Sequence, residues 1–296
     1  MMNVRQARVI VGVDGSEGSI EALRWAAHEA ARRHWPVHVM TCTQLPVSVE
    51  AGMVGAGAFA GSTMDAIVLE QEHINQRAVD LARSFGLGLE VSGETVLGAA
   101  GYALVSASHE EDLVVVGATS HPGRLADVLG SVSTVVAHRA KGPVVVVHGS
   151  DRRDDVISRI VVGVDGSAGS DEALLWAAEE ALRCGAELVL VHGWVYPYVG
   201  ARTGVSEPRD DMRLDAMRTL EASALKAHEV ASSVRCHSII TEESPAKALI
   251  DAAAEADLVV VGSRGHGGFA ALMLGSVSRT VLQHSPRPVA VIRPVD

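Results

Sequence analysis

The chain has 296 residues, enough for two ordinary domains, each with a sizeable core. It is 48% hydrophobic but only 3% aromatic and carries a formal net charge of −11, which argues against a general binder of nucleic acid or anionic membranes. No run of 18 apolar residues occurs, so no membrane span is expected. Three scattered cysteines (Cys42, Cys184, Cys236) without a C-x-x-C pair fit a reducing compartment. The first residues also lack a secretory h-region, so the expected location is cytoplasmic.

The chain repeats itself. Ile10-Val-Gly-Val-Asp-Gly-Ser16 returns as Val161-Val-Gly-Val-Asp-Gly-Ser167, offset by 151. Val114-Val-Val-Gly117 returns as Val259-Val-Val-Gly262, and Leu129-Gly-Ser-Val-Ser133 as Leu274-Gly-Ser-Val-Ser278, both offset by 145. A period this long means two domains rather than a solenoid. The expected boundaries are 1–148 and 158–296, joined by a charged linker over 149–157.

In chain order, each copy predicts β-α-β-α-β-α-β-α-β. The first strands (Arg8 to Val13; Arg159 to Val164) run into Asp-Gly-Ser, a turn and helix-start signal. The next helices carry apolar residues at three- and four-residue spacing (Ile20, Leu23, Ala27, Ala30; Leu174, Ala178, Ala181), with Trp25 and Trp176 as packing residues. Second strands cover Val37 to Cys42 and Glu187 to His192. His34 and His38 flank the preceding turn and do not read as a metal site. Ala51 to Thr63 reads as a flexible apolar loop, and its counterpart from Trp194 to Gly200 as a stiffer, aromatic one. Helices marked by Ile74, Ala78, Leu81 and Phe85, and by Met217, Leu220, Ala224 and Ala227, come next. Third strands are expected from Leu89 to Val96 and from Val234 to Thr241. Ser244-Pro245 is a good helix start, Gly98 a poorer one. A fourth strand, a glycine-rich loop, a helix and a fifth strand led by Pro143 or Pro288 close each copy.

Alternating strands and helices of this kind predict an α/β protein of two tandem doubly wound domains. Each is a five-stranded parallel sheet, order 3-2-1-4-5, with helices on both faces. Ligands bind such sheets at the carboxyl edge, where the winding reverses. That edge lies between strands one and four, which end in Asp14 or Asp165 and in the glycine loop. A buried strand, small residues and a helix N-terminus make a phosphate cradle.

The spacing G-x2-G-x9-G-[ST], with the V-D-G-S first strand, resembles the universal stress protein family in its ATP-binding, tandem-domain form. The resemblance covers essentially the whole chain, and in the second copy Gly262, Gly265, Gly275 and Ser276 match at every position. It implies ATP as ligand, with Mg²⁺, and a nucleotide-dependent role in stress regulation. Carried over, Gly163 and Asp165 lie at the nucleoside end, Arg264, His266 and Gly267 follow the phosphates, and Val277 completes the cap. In the first copy Gly12, Asp14, Gly117, Gly123, Arg124, Gly130, Ser131 and Val132 take these places. Ser120 replaces the second glycine there, at a cost of about 1 kcal/mol or more if the position needs positive φ. The family also pairs domains through the fifth strands, which implies an intramolecular pair here and a homodimer beyond it.

Other readings stand beside this one. There is no G-x-x-x-x-G-K-[ST] and no G-x-G-x-x-G after the first strand, which argues against P-loop and dinucleotide sites. Asp14 and Asp165 also read as turn formers, and Ser131 and Ser276 as helix N-caps. His121 and His266 are equivalent loop histidines; no carboxylate is placed to orient either ring, so no catalytic residue is assigned. Three functions stay open: an ATP-binding regulator, a slow Mg-dependent ATPase using His266, and a scaffold binding AMP or cyclic AMP.

Overall fold

The computed structural model of the chain describes residues 6–43, 59–118, 129–148, 156–196, 209–265 and 274–294. The chain divides into two compact units, Met1–Arg152 and Arg153–Asp296. The first contains β1 (Val9–Gly12), α1 (Glu17–Arg33), β2 (Val37–Thr43), α2 (Phe59–Ser84), β3 (Val91–Leu97), α3 (Ala100–Ala107), β4 (Leu113–Gly117), α4 (Ser131–Arg139) and β5 (Val144–Val147). The second contains β6 (Arg159–Gly163), α5 (Ala168–Cys184), β7 (Glu187–Gly193), α6 (Arg209–Val230), β8 (Cys236–Thr241), α7 (Pro245–Ala253), β9 (Leu258–Gly262), α8 (Ser276–His284) and β10 (Val289–Ile292).

Within the first unit β2 pairs with β3 and β1, β1 with β4, and β4 with β5, all parallel. In the second unit β7 pairs with β8 and β6, β6 with β9, and β9 with β10, again parallel. Both sheets therefore have the order 3-2-1-4-5 in their own strand sequence. The central strands are covered on both faces, which explains their unbroken apolar runs. In β9, Leu258, Val259 and Val260 are fully buried. The first helix of each unit packs on its first and fourth strands. On the opposite face, α7 lies against β7 and β6, with Leu249 filling the space that Gly163 leaves open.

The local signals fold as their chemistry dictates. Ser16 and Ser167 cap α1 and α5, each hydroxyl accepting from the N–H three residues on. Gly15 (φ 81°) and Gly166 (φ 80°) supply the left-handed backbone that turns the strand into the helix. Ser244 caps α7 with Pro245 in its first turn, whereas α3 starts from Ala99 without a side-chain cap.

Several expectations shift. The first strand is Val9–Gly12, shorter at each end than predicted, and β2 runs on to Thr43. The third strands begin two residues late. Gly86 and Gly88 hold left-handed φ values of 72° and 67°, delaying β3, while the Val234 N–H is taken by Ala231 O (3.0 Å) at the end of α6. The inward face of α6 is Ala216, Leu220, Ser223 and Ala227, so Met217 points outward at 41% exposure. Trp25 is buried, but Trp176 only half so. Helix α2 starts at Phe59, inside the stretch expected to be a loop; the rest of that loop, and 197–200 of its counterpart, lie outside the described residues.

Candidate functional site

The carboxyl edge between the first and fourth strands brings two loops together in each unit. At the first, Asp14 Oδ1 accepts from Ser16 N (3.0 Å) and Ser16 Oγ (2.5 Å). Asp165 Oδ1 does the same with Ser167 N (2.9 Å) and Ser167 Oγ (2.6 Å). Each aspartate is thus a turn former, held at one fixed orientation at the end of the central strand.

The end of the fourth strand is pressed against the first turn of the first helix. A Cβ on Gly262 would lie 2.4 Å from Gly169 O, and one on Gly117 would lie 2.6 Å from Gly18 O. Gly265 sits beside the aspartate, its Cβ position 2.3 Å from Asp165 Oδ2. Its backbone is not left-handed, which corrects the φ argument for this position. Glycine is needed there because the Asp165 carboxylate occupies the side-chain space.

The fourth helices open onto this edge. Ser131 and Ser276 are not N-caps, contrary to one reading of the sequence. The caps are Gly130 and Gly275, which have no side chain to satisfy the first-turn N–H groups. The serines stand one residue further on and are exposed, with Val132 and Val277 half-buried beside them. Gly130 N donates to Ala118 O (2.8 Å) and Gly275 N to Ser263 O (2.7 Å), tying each cap to the strand end. The serines that fix the helix are Ser133 and Ser278, whose hydroxyls donate to Gly117 O (2.7 Å) and Gly262 O (2.6 Å). No site role was assigned to these two from sequence; their signal was the second serine of the repeated Gly-Ser-Val-Ser. Open N–H groups at a helix N-terminus form an anion site.

In the first unit these parts enclose a cavity of about 440 Å³ lined by Asp14, Gly117, Gly130, Ser131 and Val132. Met40, Cys42 and Tyr102 add a softer, apolar wall. Burial, and then the Glu94 charge, push the Cys42 thiol up, so it is a neutral wall rather than a thiolate. Gly12 reaches the cavity too, but its Cβ position, like that of Gly163, faces a leucine methyl (Leu104 and Leu249, both 2.9 Å), so these two glycines admit α3 and α7.

Arg264 and Gly265 lie at the described end of the second unit's loop. Gly123, Arg124, His266 and Gly267, together with Ser120 and His121, lie outside the described residues. Among the described residues no cluster of three or more His, Cys, Asp or Glu side chains offers a metal site. The donor set therefore fits an anion directly, and fits Mg²⁺ only as an ion that brings phosphate and water oxygens of its own.

The sequence matches the universal stress protein family twice, over residues 7–148 and 157–293. The chain belongs to that family. A universal stress protein of Mycolicibacterium smegmatis is 35% identical over 299 residues, with 97% of each chain covered. One from Mycobacterium tuberculosis is 34% identical, with 96% of each covered. The solved structure of a universal stress protein from Archaeoglobus fulgidus superimposes with a TM-score of 0.71 at 21% identity, covering 98% of this chain and 97% of that one, and shows the same fold. No described helix is long and apolar enough to cross a membrane.

Proposed function

We propose that this universal stress protein binds ATP with Mg²⁺ at the carboxyl edge of each unit and acts as a nucleotide-dependent stress regulator in the cytoplasm, assembled as a homodimer. The observation that carries the reading is the glycine-capped fourth helix. Its first-turn N–H groups have no side-chain cap, and they open beside strand-end glycines that let the first and fourth strand ends pack closely at this edge. The first unit's cavity has the volume of a small-ligand pocket, within the roughly 300–1,000 Å³ range of such sites.

Each group has a task. The Asp14 and Asp165 carboxylates, fixed by their serines, accept from ribose hydroxyls or meet a phosphate-bound cation. The N–H groups of residues 131–133 and 276–278 hold phosphate oxygens, and Arg264 adds a charge-assisted contact. Mg²⁺, when bound with the nucleotide, supplies charge neutralisation. Nothing in this set activates a nucleophile, so the site reads as one for occupancy.

Calorimetric titration with Mg-ATP tests this. Saturable binding that Gly275→Glu and Gly130→Glu each halve in stoichiometry supports the reading. No heat and no change in melting temperature at millimolar Mg-ATP contradicts it, since a ligand at 100 times its Kd adds about 2.7 kcal/mol of stability.

A further inference from the structure

We infer that Arg293, immediately after β10, is a second phosphate-binding cation of the second unit, acting beside Arg264 to favour nucleotides with more phosphates. The inference rests on the nucleotide reading above and names a residue that neither the glycine motif nor its spacing includes.

The placement follows from register. Ile292 pairs with Gly262, and Ser263 N donates to Ile292 O at 2.6 Å, so Arg293 comes level with Ser263. Ser263 is also the residue whose carbonyl receives Gly275 N, at the cap of α8. Three sources of positive potential thus meet around one residue: Arg264, next in the chain; Arg293, across the strand pair; and the open N-terminus of α8.

The sheet face agrees. The Cβ position of Gly262 faces α5 through Gly169. Alternation puts Ser263 on the other face, and parallel register puts Arg293 there with it. That is the face of α7, which Gly163 admits, and α8 packs on α7.

The energetics point to an anion. Burial, and after it the charge on Arg264, work against the positive form of Arg293. Guanidinium nevertheless stays charged in proteins, so Arg264 and Arg293 both bring positive charge to this edge. A polyphosphate reaching both makes two charge-assisted contacts. A monophosphate at the helix cap carries less charge to share. Copy one lacks the pair: Thr119 and His148 stand where copy two has Arg264 and Arg293, and its own loop arginine is Arg124.

The test uses the full chain with Gly130→Glu, so that only the second unit reports. Dissociation constants for ATP and AMP, each with Mg²⁺, are measured before and after Arg293→Gln, and again with Arg293→His, which places the first copy's residue there. The expected result is a loss of tenfold or more for ATP, with less than a twofold change for AMP, in either variant. Equal losses for the two nucleotides would mean a structural role and overturn the inference, as would unchanged ATP binding. If the Gly130→Glu protein with Arg293 intact binds no nucleotide, the nucleotide reading of this unit fails and the inference goes with it.

Discussion

Gly265 lies against Asp165 so closely that a Cβ on the glycine would sit 2.3 Å from the aspartate Oδ2. The loop that follows β9 and the turn that follows β6 are therefore shaped against each other. Gly265→Ala must push apart a carboxylate already fixed by Ser167. The expected cost is about 1–3 kcal/mol of stability, the usual range for overpacking, with at least a tenfold loss of ATP affinity in the second unit. Urea unfolding and titration of the Gly130→Glu, Gly265→Ala protein measure both; full affinity in that protein would show that the contact is irrelevant to binding.

Ser133 and Ser278 hold the fourth helices to their strand ends through Gly117 O and Gly262 O. Removing either hydroxyl leaves a part-buried carbonyl with one partner fewer. Ser278→Ala should cost about 1 kcal/mol and weaken nucleotide binding by tilting the helix cap. Ser276→Ala, at an exposed hydroxyl, should leave stability unchanged. A denaturation series comparing the two separates the anchoring serine from its neighbour, and equal effects would contradict this division of labour.

This division marks what was and was not legible in the sequence. The repeat, the strand order and the switch-point crevice could all be read from apolar runs, Asp-Gly-Ser turns and glycine spacing, because those signals act over a few residues. Whether Ser131 or Gly130 caps the helix could not, since the two are adjacent and the choice depends on where the strand-end carbonyl lies. The reason for glycine at 265 was hidden for a similar cause: it is crowded by an aspartate 100 positions away rather than by its own φ. Arg293 was invisible because only the β9–β10 register places it next to Ser263. The outward turn of Met217 on α6 also depends on packing, as the helix settles on its smaller residues Ala216, Ser223 and Ala227.

Away from the site, His38 bonds Ser92 Oγ (2.9 Å) and Glu94 Oε2 (3.3 Å) through its two ring nitrogens. Burial, then the charge on Arg8, lower its pKa by more than Glu94 and Asp112 raise it. The unfolded chain therefore holds this proton more readily than the folded one. Stability from this group is complete above the ordinary histidine value, about 6.5, and declines as pH falls from there toward the lower folded-state pKa. His38→Val, which copies Val189 at the equivalent register position, should flatten the pH dependence of the melting temperature below about pH 6.5. An unaltered slope would rule the histidine out as its source.

Glu29 is fully buried at the end of α1, where Arg32 (2.7 Å) and Arg33 meet its carboxylate. Burial opposes its charge, but the two arginines outweigh burial and hold its pKa low. Glu29→Gln strands two guanidiniums beside a neutral amide, and a loss of about 3–5 kcal/mol is expected. The double change Glu29→Leu, Arg33→Leu should recover a large part of that loss. Chemical denaturation of the three proteins checks this, and a neutral Glu29→Gln would show that the charge is not needed.

The proposal that ATP occupies the glycine-capped edge of each unit is tested by denaturing freshly purified protein after equilibration with Mg-ATP and removal of free nucleotide, then identifying and counting the released nucleotide per chain. Two ATP per chain are expected in the wild type and one in either Gly130→Glu or Gly275→Glu. No retained nucleotide, together with no saturable binding by titration, would contradict it.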